Sequence, residues 1–271
     1  MLPILKTSFI SGCLCLAINP TAHADWSENE TQQLKFCTTL ATINSQAEQH
    51  YKKAQYLQAR KIWTEQVGYM ESCLRLKEDP SDLAKQIFTA KNSAYLSQNS
   101  LDTLYNSIAL TYIKTQDYGK AKAWLNLAPK SAKTAFNLKL IPQHLTNNSV
   151  AGEYWMYAGL GTWQTYTVKA QTNQQYYIHF EGLYFGLNGL LYGPNLGEYD
   201  YQTKIQQQQS IWTYPDHLEH EFCRIQLKFQ GDRLRATTST NGSPDSSCGF
   251  GHNVTADGEY IKVSSVHDKN R

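Results

Sequence analysis

Glycine is almost missing from one half of this chain and closely spaced through the other, and that contrast restricts the fold more than any other feature. Between residues 28 and 140 glycine occurs only at Gly68 and Gly119, and no stretch alternates apolar with polar residues. Such a segment reads as packed helices. After Ile141-Pro142 and a polar joint, Thr146-Asn147-Asn148-Ser149, the texture changes, and from Tyr154 to Tyr214 fifteen of 61 residues are aromatic, with glycines between them. Tyr176, Ile178 and Phe180 alternate with Tyr177, His179 and Glu181, and Cys223, Ile225, Leu227 and Phe229 alternate with Arg224, Gln226 and Lys228. That is the period of half-buried antiparallel strands. The expected class is α+β in two domains: helical hairpins over 25–145, then an antiparallel sandwich or barrel of short strands over 150–266.

Within the helical half, Asp79-Pro80-Ser81-Asp82 marks a break, with Pro80 ending one helix and Ser81 or Asp82 capping the next. Ser27 with Glu30 three residues on suggests the first helix start. Ala47, Tyr56, Ala59 and Trp63 return 62 residues later as Ala109, Tyr118, Ala121 and Leu125, and Gln116-Asp117-Tyr118 sits where an inter-helix turn belongs. Small residues at helix crossings and an aromatic beside them resemble the tetratricopeptide repeat. The resemblance implies a solenoid-like stack with a surface for protein or peptide contact. Two features depart from the family pattern: the repeat-end proline is displaced to Pro129, and the 62-residue offset is no multiple of the family's repeat length. Ordinary antiparallel helices with alanine at their crossings remain the alternative.

In the β half, Gln230-Gly231-Asp232 predicts a tight hairpin, and Asp257-Gly258 a second one leading into the last strand. Gly-Glu-Tyr at 152–154 and again at 258–260 suggests that the first and last strands pair to close a barrel. The string Cys248-Gly249-Phe250-Gly251-His252-Asn253-Val254, following a Cys-Arg strand from Cys223 to Phe229, resembles the closing segment of small β-modules in exported bacterial proteins of the lysozyme-inhibitor kind. The resemblance implies a non-catalytic module. Read by themselves, Gly249 and Gly251 permit positive φ next to a disulfide.

The first 24 residues suggest export: a basic lead to Lys6, an apolar run from Thr7 to Ile18, the helix-breaking Asn19-Pro20, and Ala22-His23-Ala24 before Asp25. Ile10-Ser11-Gly12-Cys13 offers a rival reading, a lipid anchor at Cys13. Either route leads to an oxidising compartment, where Cys37, Cys73, Cys223 and Cys248 are expected to form disulfides. Four cysteines allow three connectivities. Two lie in each half, so Cys37–Cys73 with Cys223–Cys248 is the economical pairing, and without a Cys-x-x-Cys a zinc site is disfavoured.

Charge is nearly balanced, at +4 over 25–150 and −3 over 151–271, so nothing favours nucleic acid or an anionic membrane. No other apolar run is long enough for a membrane span. No nucleophile elbow, zincin or phosphate-loop motif occurs, and no cofactor is implied. His217 and His220 are the densest pair of possible metal ligands, within Asp216–Glu221, although a solvated loop is the plainer reading. His252 beside two glycines has the chemistry of a general base without a specified nucleophile. The run from Gly182 to Gly197 carries Tyr184, Phe185 and Tyr192, either a stacking loop for glycan or part of the core. The expected role is binding of a protein partner such as a cell-wall hydrolase in the bacterial envelope, as inhibitor, immunity protein or adaptor. A glycan-binding module and an enzyme with an unrecognised site are the alternatives.

Overall fold

The computed structural model describes residues 26–142, 149–186, 193–214 and 222–265. The expected signal segment with Cys13, residues 146–148 of the polar joint, Tyr192, His217 and His220 lie outside those residues. Seven α-helices fill the first part: α1 (Trp26–Cys37), α2 (Leu40–Lys52), α3 (Tyr56–Glu78), α4 (Asp82–Ile87), α5 (Gln98–Lys114), α6 (Tyr118–Leu125) and α7 (Ala132–Leu138). The first helix begins at Trp26, ahead of the expected cap at Ser27. Of the two candidate caps after Pro80, Ser81 serves: its hydroxyl accepts from the Ala84 N–H.

The internal echo corresponds to a repeated hairpin. α2–α3 and α5–α6 turn through the same backbone. Lys53, Ala54 and Gln55 donate to the carbonyls of Gln49, Tyr51 and His50, and Thr115, Gln116 and Asp117 donate to those of Thr111, Ile113 and Tyr112. Ala54 and Gln116 hold the left-handed corner, with φ of 57° and 62°. Ala47, Ala59, Ala109 and Ala121 are fully buried where the helices cross, because a methyl side chain lets the two backbones approach. The Cys37–Cys73 disulfide ties α1 to α3.

The second part is one antiparallel sheet of β1 (Gly152–Gly159), β2 (Thr162–Ala170), β3 (Gln175–Tyr184), β4 (Asn195–Lys204), β5 (Gln209–Thr213), β6 (Cys223–Gln230), β7 (Arg233–Thr240) and β8 (Gly258–Ser264), in the spatial order β4-β3-β2-β1-β8-β7-β6-β5. The sheet curls into a nearly closed barrel. Its two edge strands, β4 and β5, are consecutive in sequence, and across their seam Tyr199 stacks on Trp212 at 4.2 Å while Tyr201 and Ser210 share a 2.8 Å hydrogen bond. The expected β1–β8 pairing is present, Trp155 opposite Ile261, but these strands sit mid-sheet and the closure falls at β4/β5.

Asp257-Gly258 is not a hairpin turn. A long connection carrying a helical turn at Pro244–Ser247 separates β7 from β8, and the Cys223–Cys248 disulfide pins it to the start of β6. The local Asp-Gly signal is overridden because Phe250 and Val254 of this connection join the barrel core. Gly249 has φ of 71° as expected, whereas the glycine at 251 has no positive φ. A side chain there would strike the Leu196 carbonyl at 2.7 Å, so the constraint is close approach. The disulfides close separations of 36 and 25 residues, each worth about 3.5–4 kcal/mol in the chain-entropy account.

Aromatic residues plug the barrel. Tyr154, Tyr166, Phe180, Tyr199, Phe229 and Tyr260 are buried together, and the hydroxyls find partners inside: Tyr154 donates to the Val150 carbonyl, Tyr260 to that of Ala256, and Tyr166 and Tyr199 bond each other at 2.7 Å. Burial first of all raises the ionisation of Tyr154, Tyr166, Tyr199 and Tyr260 well above the ordinary tyrosine value, and takes Tyr201 to about 12.

The helices cover the outer face of β1, β2 and β8. Trp155 and Trp163 stack at 5.1 Å, and Trp124 of α6 meets Trp163 edge-on at 5.2 Å. The only two glycines between residues 28 and 140 both lie at this junction. A Cβ on Gly68 of α3 would stand 2.8 Å from the Leu160 carbonyl, and one on Gly119 of α6 only 2.0 Å from that of Val263 in β8. Between them the Glu71 carboxylate accepts from Tyr105 of α5, from Tyr157 of β1 and from the Leu160 N–H in the β1–β2 turn. Lys120, with its side chain 8% exposed, lies 3.7 Å from both Asp117 and Glu153. Among the described residues no helix is long and apolar enough to cross a membrane.

Gly119→Ala is expected to destabilise the chain by about 1–3 kcal/mol, since backbone must shift to admit the methyl group; chemical denaturation measures it. Alkali gives a second check. The raised folded-state values mean that an unfolded chain releases these tyrosine protons from about pH 10 upward while the folded barrel retains them, so stability is intact below pH 10 and is lost above it by about 1.4 kcal/mol per group per pH unit. Tyrosinate absorbance is expected to rise together with loss of circular dichroism. Ionisation of every tyrosine in a still-folded protein, Tyr154, Tyr166, Tyr199 and Tyr260 included, would contradict the plugged barrel.

Candidate functional site

α5 and α7 leave an open groove between them, with a cavity of about 500 Å³ lined in part by Thr103, Asn106, Leu110, Lys133, Phe136 and Asn137. On α5 the residues recur at intervals of three and four, forming one stripe; on α7 Lys133 and Phe136 are neighbours one turn apart. The seven residues of α7 are too few to hold a helix alone. A buried polar network fixes it: the Asn106 amide donates to Thr134 and to the Asp102 carbonyl, and its oxygen accepts from the Asn137 amide at 2.9 Å. Lys133 reaches across the mouth and donates to the Thr103 hydroxyl at 2.9 Å.

With the polar floor internally satisfied, the apolar groups are left facing outward. Phe136 is 63% exposed, and Leu138 and Leu140, just beyond, are 42% and 44% exposed. A large ring on the lip of an open groove supplies apolar contact area, and the lysine and hydroxyls beside it supply directed hydrogen bonds. This combination suits recognition of an elongated polypeptide more than enclosure of a small molecule.

The residues marked out in sequence are scattered. Tyr184 ends β3 and is exposed, with Phe185 half-buried after it. The aromatic residues that fill the barrel are others of the β half, and neither Tyr184 nor Phe185 is among them. His252 is exposed, its Nδ1 3.3 Å from an Asp245 oxygen. The Asp245 carboxylate accepts from the Ser243 hydroxyl and from the N–H groups of Asn253 and Ser246, and these bonds, with His252, hold its ionisation well below the usual carboxylate range. Asp245 thus organises the Cys248–Val254 cassette, and His252 hangs at its edge. Among the described residues no group of three or more metal-ligating side chains converges.

The groove was not marked out in sequence, because Phe136 reads there as one more core position of a helix. A signal was available: from Tyr118 to Gly152 the chain has five lysines and no acidic residue.

Asn106→Ala is expected to cost about 1–3 kcal/mol, because Thr134 and Asn137 lose their buried partner, and to make the α7 segment the first point of proteolytic cleavage; limited digestion with peptide mapping checks it. Compared with known proteins, the chain matches no protein-family model, no curated protein and no solved structure.

Proposed function

We propose that this chain is an exported binding protein of the bacterial envelope that engages another protein, a cell-wall hydrolase in particular, as inhibitor, immunity protein or adaptor, and does so through the α5/α7 groove. The observation that carries the reading is Phe136, a large ring 63% exposed on a lip whose polar surroundings are already bonded. Rings so placed dominate the energetics of protein interfaces. The two disulfides fit an oxidising compartment, and the first 24 residues fit an export signal, which together favour the periplasm or the exterior. The barrel serves in this reading as the support that holds α5 and α6 in place.

The test is inhibition of wall digestion by a panel of glycosidase, amidase and endopeptidase hydrolases, with the protein spanning Asp25 onward. One class is expected to slow at a near-equimolar ratio, and Phe136→Ser to restore its rate at least tenfold in inhibitor concentration, about 1.4 kcal/mol. Unchanged rates throughout, or inhibition that survives Phe136→Ser, would sink the proposal. Sedimentation with insoluble wall that survives Phe136→Ser but is lost in Tyr184→Ala would point to the glycan reading instead.

A further inference from the structure

We infer that the segment seated in the α5/α7 groove is an acidic stretch of polypeptide carrying one apolar anchor. The inference rests on the groove being the docking surface, and it goes further by naming the chemistry of what docks. Its basis is charge. Of the five lysines between Tyr118 and Gly152, Lys120 is buried against Asp117 and Glu153 at the barrel. Three others, Lys130, Lys133 and Lys139, are exposed and flank Phe136 at intervals of three residues, before, on and at the end of α7. The recorded ion pairs of the described residues include none of these three. Lys133 is held by a neutral hydroxyl, that of Thr103, which keeps its ammonium at the groove mouth without neutralising it. The acidic residue nearest in sequence to the α5 wall is Asp102, bonded by the Gln98 amide, which offers it no counter-charge, so one carboxylate stands against three lysines.

Lys133 at the mouth, with Lys130 and Lys139 on either side of Phe136 in sequence, therefore gives this side of the groove an excess of positive charge beside its apolar lip. A basic segment is repelled there, a neutral one gains only the apolar contact, and an acidic one gains both. Exposed charges of this kind act mainly on encounter rate and selectivity, and salt screens them over a Debye length of about 10 Å at 0.1 M.

Three fluorescein-labelled nonapeptides test it against the protein spanning Asp25 onward: a central Phe flanked by Glu and Asp, the same with Gln and Asn, and the same with Lys. Anisotropy at low salt is expected to show the acidic peptide binding about tenfold tighter than the neutral one, with the gap closing at about 0.5 M salt. The Lys130→Gln, Lys133→Gln, Lys139→Gln triple variant is expected to reduce the acidic peptide to the neutral level. Phe136→Ser is expected to abolish binding of both. These residues are exposed, so circular dichroism should report an unchanged fold in every variant. Equal binding of acidic and neutral peptides, both lost in Phe136→Ser, would leave the groove standing and overturn the charge inference. So would acidic binding that the triple variant leaves intact. Failure of all three peptides, or binding that survives Phe136→Ser, would overturn the groove as well. Self-association abolished by Phe136→Ser would assign the surface to a second copy of the chain and likewise overturn the inference.

Discussion

The Glu71 carboxylate, with a close glycine contact one turn before it on α3 and a second on α6, is the point on which the molecule depends. Two tyrosine hydroxyls and one backbone N–H, from α5, β1 and the β1–β2 turn, converge on its two oxygens. A carboxylate with three donors is a strong acceptor, and leaving those donors unpaired inside a packed junction would cost about 1.5–3 kcal/mol. The contact is possible only because Gly68 and Gly119 remove two side chains that would collide with barrel backbone. Hydrogen bonding and the absence of a Cβ thus act together: the first orients the two halves and the second lets them meet.

The junction has consequences on both sides. In the barrel, β1 and β2 are covered on both faces, by tyrosines within and by Trp124 and the helices without. In the helical part, α6 is held against β8, so α5, its hairpin partner, is fixed as well. α7 is then the last helix to pack, attached through the Asn106 network, and its exposed side has no further layer of this chain over it among the described residues. A groove with an exposed apolar lip is what remains on that side.

Much of this was legible in sequence for local reasons. The alanine echo reports helix crossings because only a small side chain fits there, and the paired hairpins share their turns hydrogen bond for hydrogen bond. The disulfides follow from two cysteines in each half. Less local features were not legible. Asp257-Gly258 carries the strongest short-range hairpin signal, yet a disulfide-pinned connection intervenes. The barrel seam at β4/β5 depends on which strand the last one joins, a long-range choice. The junction left a faint mark: Tyr154-Trp155-Met156-Tyr157 is apolar at both strand parities, the pattern of a strand buried on both faces, and two isolated glycines interrupt otherwise glycine-free helices. The groove left only a run of lysines, because exposure of Phe136 is a property of what fails to cover it.

The central claim is that helices and barrel form one cooperative unit, locked at Glu71, Gly68 and Gly119, and native-state hydrogen exchange followed by mass spectrometry tests it most directly. The account predicts that the slowest amides of α3 and α5 and those of β1 and β8 open at the same free energy and share the same dependence on denaturant. A barrel that keeps its protection after the helices have exchanged, or the reverse, would show two independently stable halves and contradict it.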